Sequence, residues 1–109
     1  MIYLACPYSH PDNNVREYRF KMANQAAAKL MREGHIIYSP ISHTHPIAVE
    51  GDLPLDWAYW QSVDEFYIRL CEKVVVLELN GWQKSEGVRA EIDIARALNK
   101  PIEFMGVDA

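Results

Sequence analysis

The run "VVVLELNGWQKSEGVRAEIDIARALNKPIEFM", Val74 to Met105, decides the fold. Its first part, Val74–Leu79, is apolar enough to be a central strand buried on both faces. A turn carrying Trp82, Ser85 and Gly87 follows. From Gly87 to about Asn99 the apolar residues Val88, Ile92 and Ala95 recur at helical spacing, and Asn-Lys-Pro stops the run. "PIEFM" then reads as a second strand. A strand, a helix and a strand in immediate succession form the crossover unit of a parallel sheet.

The same alternation extends towards the N-terminus. "IYLAC", Ile2–Cys6, is a short apolar run of β-formers stopped by Pro7. "PYSHPDNN" is a loop, in which Asp12, Asn13 or Asn14 can cap a helix. Val15, Tyr18, Met22, Ala26 and Leu30 give that helix its stripe, and Gly34 ends it. "HIIYSP", His35–Pro40, is a second strand. Ile41 to Pro54 is rich in Pro, His and Gly and reads as irregular. "LDWAYWQSVDEFYIRLCEK" is a second helix with Trp60, Val63, Tyr67 and Leu70/Cys71 as its apolar stripe. The expected architecture is α/β: a three-layer, doubly wound, Rossmann- or flavodoxin-like parallel sheet of about four strands in the order 2-1-3-4.

Composition sets the bounds. The chain of 109 residues is long enough for one domain, 1–109, with one core. Half of it is hydrophobic and its net charge is −4. An acidic chain without a Lys/Arg cluster is a poor binder of nucleic-acid polymers, although a single nucleotide needs only local donors. The two cysteines, Cys6 and Cys71, lack metal spacing and read as buried thiols of a reducing compartment. No run is long enough to cross a membrane, and "MIYLACPYS" lacks the basic start of a signal peptide. A cytoplasmic protein is expected.

In such folds ligands bind beyond the carboxyl ends of the strands. Those ends are "PYSH", "SPISHTH" and "NGWQKSEG", which make Pro7, Tyr8, Ser9, Ser39, His43, Trp82, Ser85 and Gly87 candidate substrate-binding residues. Glu91 falls in the first turns of the last helix and on its inward phase, where the helix dipole favours a carboxylate. A solvated or capping Glu is the plainer reading of a first-turn acid. Ser85 and Gly87 can offer a hydroxyl and backbone N–H groups to an anion, or simply form an N-cap. Asp64 stands in an aromatic helix, whereas Asp56 reads as a first-turn acid. Tyr3 lies on a buried strand, its ring packing in the core and its hydroxyl seeking a partner. Trp57, Trp60 and Trp82 read mostly as core or wall residues, with Trp82 in a loop where its face could stack on a base. His43 and His45 form an H-x-H pair that would need a third ligand to hold a metal.

"IYLACPYS", the Trp82, Ser85, Gly87, Glu91 pattern W-x-x-S-x-G-x-x-x-E, and a helix-borne acid between them resemble the nucleoside 2-deoxyribosyltransferase superfamily. The resemblance is closest to a branch of small bacterial and phage proteins and covers nearly the whole chain. It implies that Glu91 is a nucleophile towards the anomeric carbon of a deoxyribosyl group and that Tyr3 orients it. It further implies that Asp64 serves the base or sugar, and that Ser85, with Ser9, holds phosphate in relatives that hydrolyse deoxynucleoside 5′-monophosphates. Such chemistry uses no cofactor and no metal, and the superfamily's sites are completed by a neighbouring subunit. The expected function is cleavage or transfer at the N-glycosidic bond of a (deoxy)nucleoside or its 5′-monophosphate, by a homodimer or larger assembly. The rivals are a catalytically inactive nucleotide-binding or interaction module on the same fold, and a metal hydrolase using His43 and His45.

Overall fold

The computed structural model describes residues 1–107. The elements run β1 (Ile2–Ala5), α1 (Asn13–Arg32), β2 (Ile37–Tyr38), α2 (Pro40–Gly51), α3 (Trp57–Leu70), β3 (Lys73–Leu77), α4 (Glu86–Ala97) and β4 (Ile102–Met105), with a short 3₁₀ turn at Trp82–Lys84. The four strands form one sheet in the order β2-β1-β3-β4. Every pairing is parallel, with Tyr3 beside Tyr38 and Val74, and Val74 beside Ile102. The expected sheet order and three-layer α/β class are those of the structure.

Side-chain alternation along the strands divides the core into two layers. Ile2, Leu4, Val75 and Leu77 face Ala23, Ala26 and Ala27 of α1 and Ile41 of α2. Tyr3, Ala5, Val74 and Val76 face Ile68 of α3 and Val88, Ile92 and Ala95 of α4. Asp12 caps α1 by accepting from the Asn14 N–H, and Gly34, at φ +94°, follows that helix's end.

The structure corrects the expectation at three places. Ile41–Pro54 is not irregular, because most of it is helix α2. Pro40 stands at the helix start, where its missing N–H costs nothing, and Asp52 closes the far end in the left-handed region. Pro46 inside the helix masks the pattern, yet Ile41, Thr44, His45 and Ala48 form its buried side. The second strand is shorter than His35–Pro40, since it is an edge strand that Pro40 diverts into α2. Part of each helix stripe meets the core as expected, Met22, Ala26 and Leu30 on α1 and Tyr67 and Cys71 on α3 and its cap, but the most buried face of each is rotated from it. On α1 the sheet is met by alanines, which allow close approach, while Tyr18 is exposed. On α3 the buried side chains are Asp64 and Ile68, and Leu70 faces outwards. That rotation turns a carboxylate inwards.

Candidate active site

Beyond the carboxyl ends of the strands lies a cavity of about 330 Å³. The loop after β1 supplies Cys6, Tyr8 and Ser9 to its lining. Helix α2 supplies Pro40, Thr44 and His45, and α3 with its approach supplies Leu55, Asp56, Trp57, Trp60 and Asp64. The turn after β3 and the start of α4 supply Lys84, Ser85, Glu86, Gly87 and Glu91.

Glu91 sits deepest. It is 4% exposed, and the Tyr3 hydroxyl donates a hydrogen bond to its Oε2. Tyr3 itself is fully buried on β1, so its phenol rises from the sheet beneath the carboxylate and does not line the cavity. The pairing of β1 beside β3, which leads into α4, brings these two residues together across the sequence. Asp64, also buried, completes the group, and its Oδ1 has no hydrogen-bond partner among the described residues.

Two carboxyls in a low-dielectric pocket resist ionising together. Burial pushes Glu91 well above the usual carboxylate range, the charge of Asp64 adds to this, and the Tyr3 hydroxyl works against it. Burial likewise raises Asp64 from 3.8 to about 7, again offset in part by Tyr3. The Tyr3 phenol is raised by burial and then by the negative charge of Glu91 and Asp64. It therefore stays protonated, as a donor must. Burial, then Glu91, pushes the Cys6 thiol up to about 12, which leaves it a weak nucleophile.

Four of the eight expected substrate-binding residues, Tyr8, Ser9, Ser85 and Gly87, line the cavity. The other four do not. Pro7 is fully buried. Ser39 is buried, and its hydroxyl pairs with that of Ser42 at 2.7 Å. The His43 ring faces Tyr38 at 6.0 Å. Trp82 packs on Phe104 at 5.4 Å. The Ser85 hydroxyl accepts from the Val88 N–H and caps α4, so the plainer reading of that serine holds beside its place in the lining. Asp56 caps α3 in the same way through the Tyr59 N–H.

Other lining residues had readable signals. Trp57, Trp60 and Asp64 are spaced i, i+3, i+7, which places two indoles and the carboxylate on one face of α3. His45, the second member of the H-x-H pair, lies on the buried side of α2 and lines the cavity. Its ring nitrogens are engaged by Tyr8 and Glu17. Among the described residues, no group of three or more His, Cys, Asp or Glu side chains is placed to hold a metal ion, and no helix is long and apolar enough to cross a membrane.

No match is found among curated proteins. The family model described as "Domain of unknown function (DUF1937)" matches residues 1–107, and the chain belongs to that family.

Proposed function

We propose that the protein cleaves, or transfers across, the N-glycosidic bond of a (deoxy)nucleoside or nucleoside 5′-monophosphate, with Glu91 as nucleophile. The observation that carries this reading is the buried Tyr3–Glu91 hydrogen bond beside Asp64 at the base of a cavity walled by two indoles. The resemblance to the nucleoside 2-deoxyribosyltransferase superfamily supports the same roles for the same three residues.

The reactive form holds one proton on the carboxyl pair. That form carries the proton on Asp64, which burial raises to about 7, and the charge on Glu91, whose Oε2 accepts the Tyr3 hydrogen bond; a carboxyl of that strength suits an acid working near neutrality. Glu91 attacks the anomeric carbon as the carbon–nitrogen bond breaks, and the departing base takes the proton from Asp64. The product is a glycosyl ester on Glu91. Water or an acceptor base then attacks the same carbon and gives its proton to Asp64. The ester bond breaks and the Glu91 carboxylate is restored.

The turn from Lys84 to Gly87 offers a cation, a hydroxyl and the start of α4 to a 5′-phosphate. Incubation with a panel of nucleosides and their 5′-monophosphates, read by chromatography for free base, tests the proposal. Release of base from at least one member is expected, with monophosphates preferred. Tight binding without release from any member would favour an inactive binding module instead.

We further propose a homodimer or larger assembly. The outer side of α3 exposes Tyr59, Phe66 and Leu70, three large apolar side chains on one helix. Analytical sedimentation is expected to give a mass of at least twice 12.6 kDa, and a monomer mass at high concentration would count against it.

A further inference from the structure

Tyr8 stands in the cavity wall with a support that the chemistry above does not use. Its hydroxyl is hydrogen-bonded to Nδ1 of His45, and Nε2 of the same ring lies 2.9 Å from Oε1 of Glu17. The three side chains come from the loop after β1, from α2 and from α1. His45 is 4% exposed, with the Phe20 ring at 4.4 Å and the Tyr8 ring edge-on at 5.4 Å, so packing holds the imidazole in place. Valence then assigns the roles. A carboxylate only accepts, so Nε2 carries a hydrogen. A neutral imidazole has one remaining lone pair, on Nδ1, and the Tyr8 hydroxyl donates to it. With its hydrogen committed to the wall, the Tyr8 oxygen offers only lone pairs to the cavity.

We infer that Tyr8 is a ligand-binding residue whose oxygen accepts a hydrogen bond from a sugar hydroxyl, with His45 and Glu17 as positioning residues that fix it as an acceptor. The inference rests on the nucleotide reading above and adds a polar selection point to it. Tyr8 belongs to the layer of α1 and α2, whereas Trp57, Trp60 and Asp64 come from α3 on the other side of the sheet. Flat indole surfaces suit a base. With the base along them and the anomeric carbon at Glu91, the far edge of the sugar faces Tyr8. An acceptor-only group there rewards a hydroxyl and gains nothing from a sugar that lacks one.

The test is calorimetric binding at pH 8 in a Glu91→Gln background, which prevents turnover. The paired probes are a 2′-deoxynucleoside 5′-monophosphate and its 2′,3′-dideoxy counterpart. Tyr8→Phe is expected to weaken the first by about fivefold to tenfold, the loss of one hydrogen bond, and to leave the second unchanged. Glu17→Ala, on a partly exposed side chain, is expected to show the same pattern more weakly, and does not depend on Tyr8→Phe folding. Equal losses for both probes, or none for either, would overturn the role of Tyr8 while leaving the glycosidic chemistry standing. If neither probe binds the Glu91→Gln protein or the native one, the nucleotide reading fails and this inference fails with it.

Discussion

Glu91→Ala is expected to lower base release by roughly 10³-fold or more, since removing the attacking group of a covalent mechanism removes the pathway itself. The side chain is buried and hydrogen-bonded to Tyr3, so the residue could also be read as structural. Glu91→Gln separates the two roles. The amide keeps the shape and a carbonyl acceptor for the Tyr3 hydroxyl, but it is a far poorer nucleophile. Tyr3→Phe leaves the carboxylate in place without its donor, so it should cost less, on the order of 10- to 100-fold, because it loosens orientation only. All three proteins should be checked for native far-UV dichroism and melting before rates are compared. A folded Glu91→Gln protein that retains activity within tenfold of the native chain would sink the nucleophile assignment. So would a Tyr3→Phe loss larger than that of Glu91→Gln.

Much of this site could be read before any coordinates, because its parts lie where topology alone gathers side chains. The β3–α4–β4 segment has strong periodicity and a clear stop, so Glu91 could be placed at the cleft and on the inner phase of its helix. Tyr3 could be placed on the neighbouring strand by sheet order. The misplaced residues share a physical cause. Pro40 and Pro46 in a stretch of histidines look like loop, yet Pro40 sits where a helix start tolerates it and Ile41, Thr44, His45 and Ala48 supply a buried side. With α2 unread, His43 was favoured over His45, and the Glu17–His45–Tyr8 chain was invisible. On α3, apolar spacing favoured a stripe through Leu70, but the buried phase contains a carboxylate that hydrophobic periodicity does not count. Trp82, whose plainer reading is a core or wall residue, packs on Phe104.

Asp64→Asn is expected to make the protein more stable at neutral pH and less active, the signature of a carboxyl kept in an unfavourable place for its chemistry. Folding raises its pKa from 3.8 to about 7, mainly by burial. The folded state therefore binds the proton more tightly than the unfolded chain does. By linkage this contribution is fully favourable below about pH 4 and is lost as the pH rises through 7. At 1.36 kcal/mol per pKa step, the resulting penalty at pH 8 is roughly 4 kcal/mol at most. An asparagine carries no charge and escapes it. The melting temperatures of the two proteins should therefore nearly coincide at pH 4 and separate at pH 8, by on the order of 10 °C for a domain of this size. Base release should still fall, because the departing base loses its proton donor. A melting difference that stays constant from pH 4 to pH 8 would show that Asp64 is not held protonated by the fold, and its role as the acid would have to be given up.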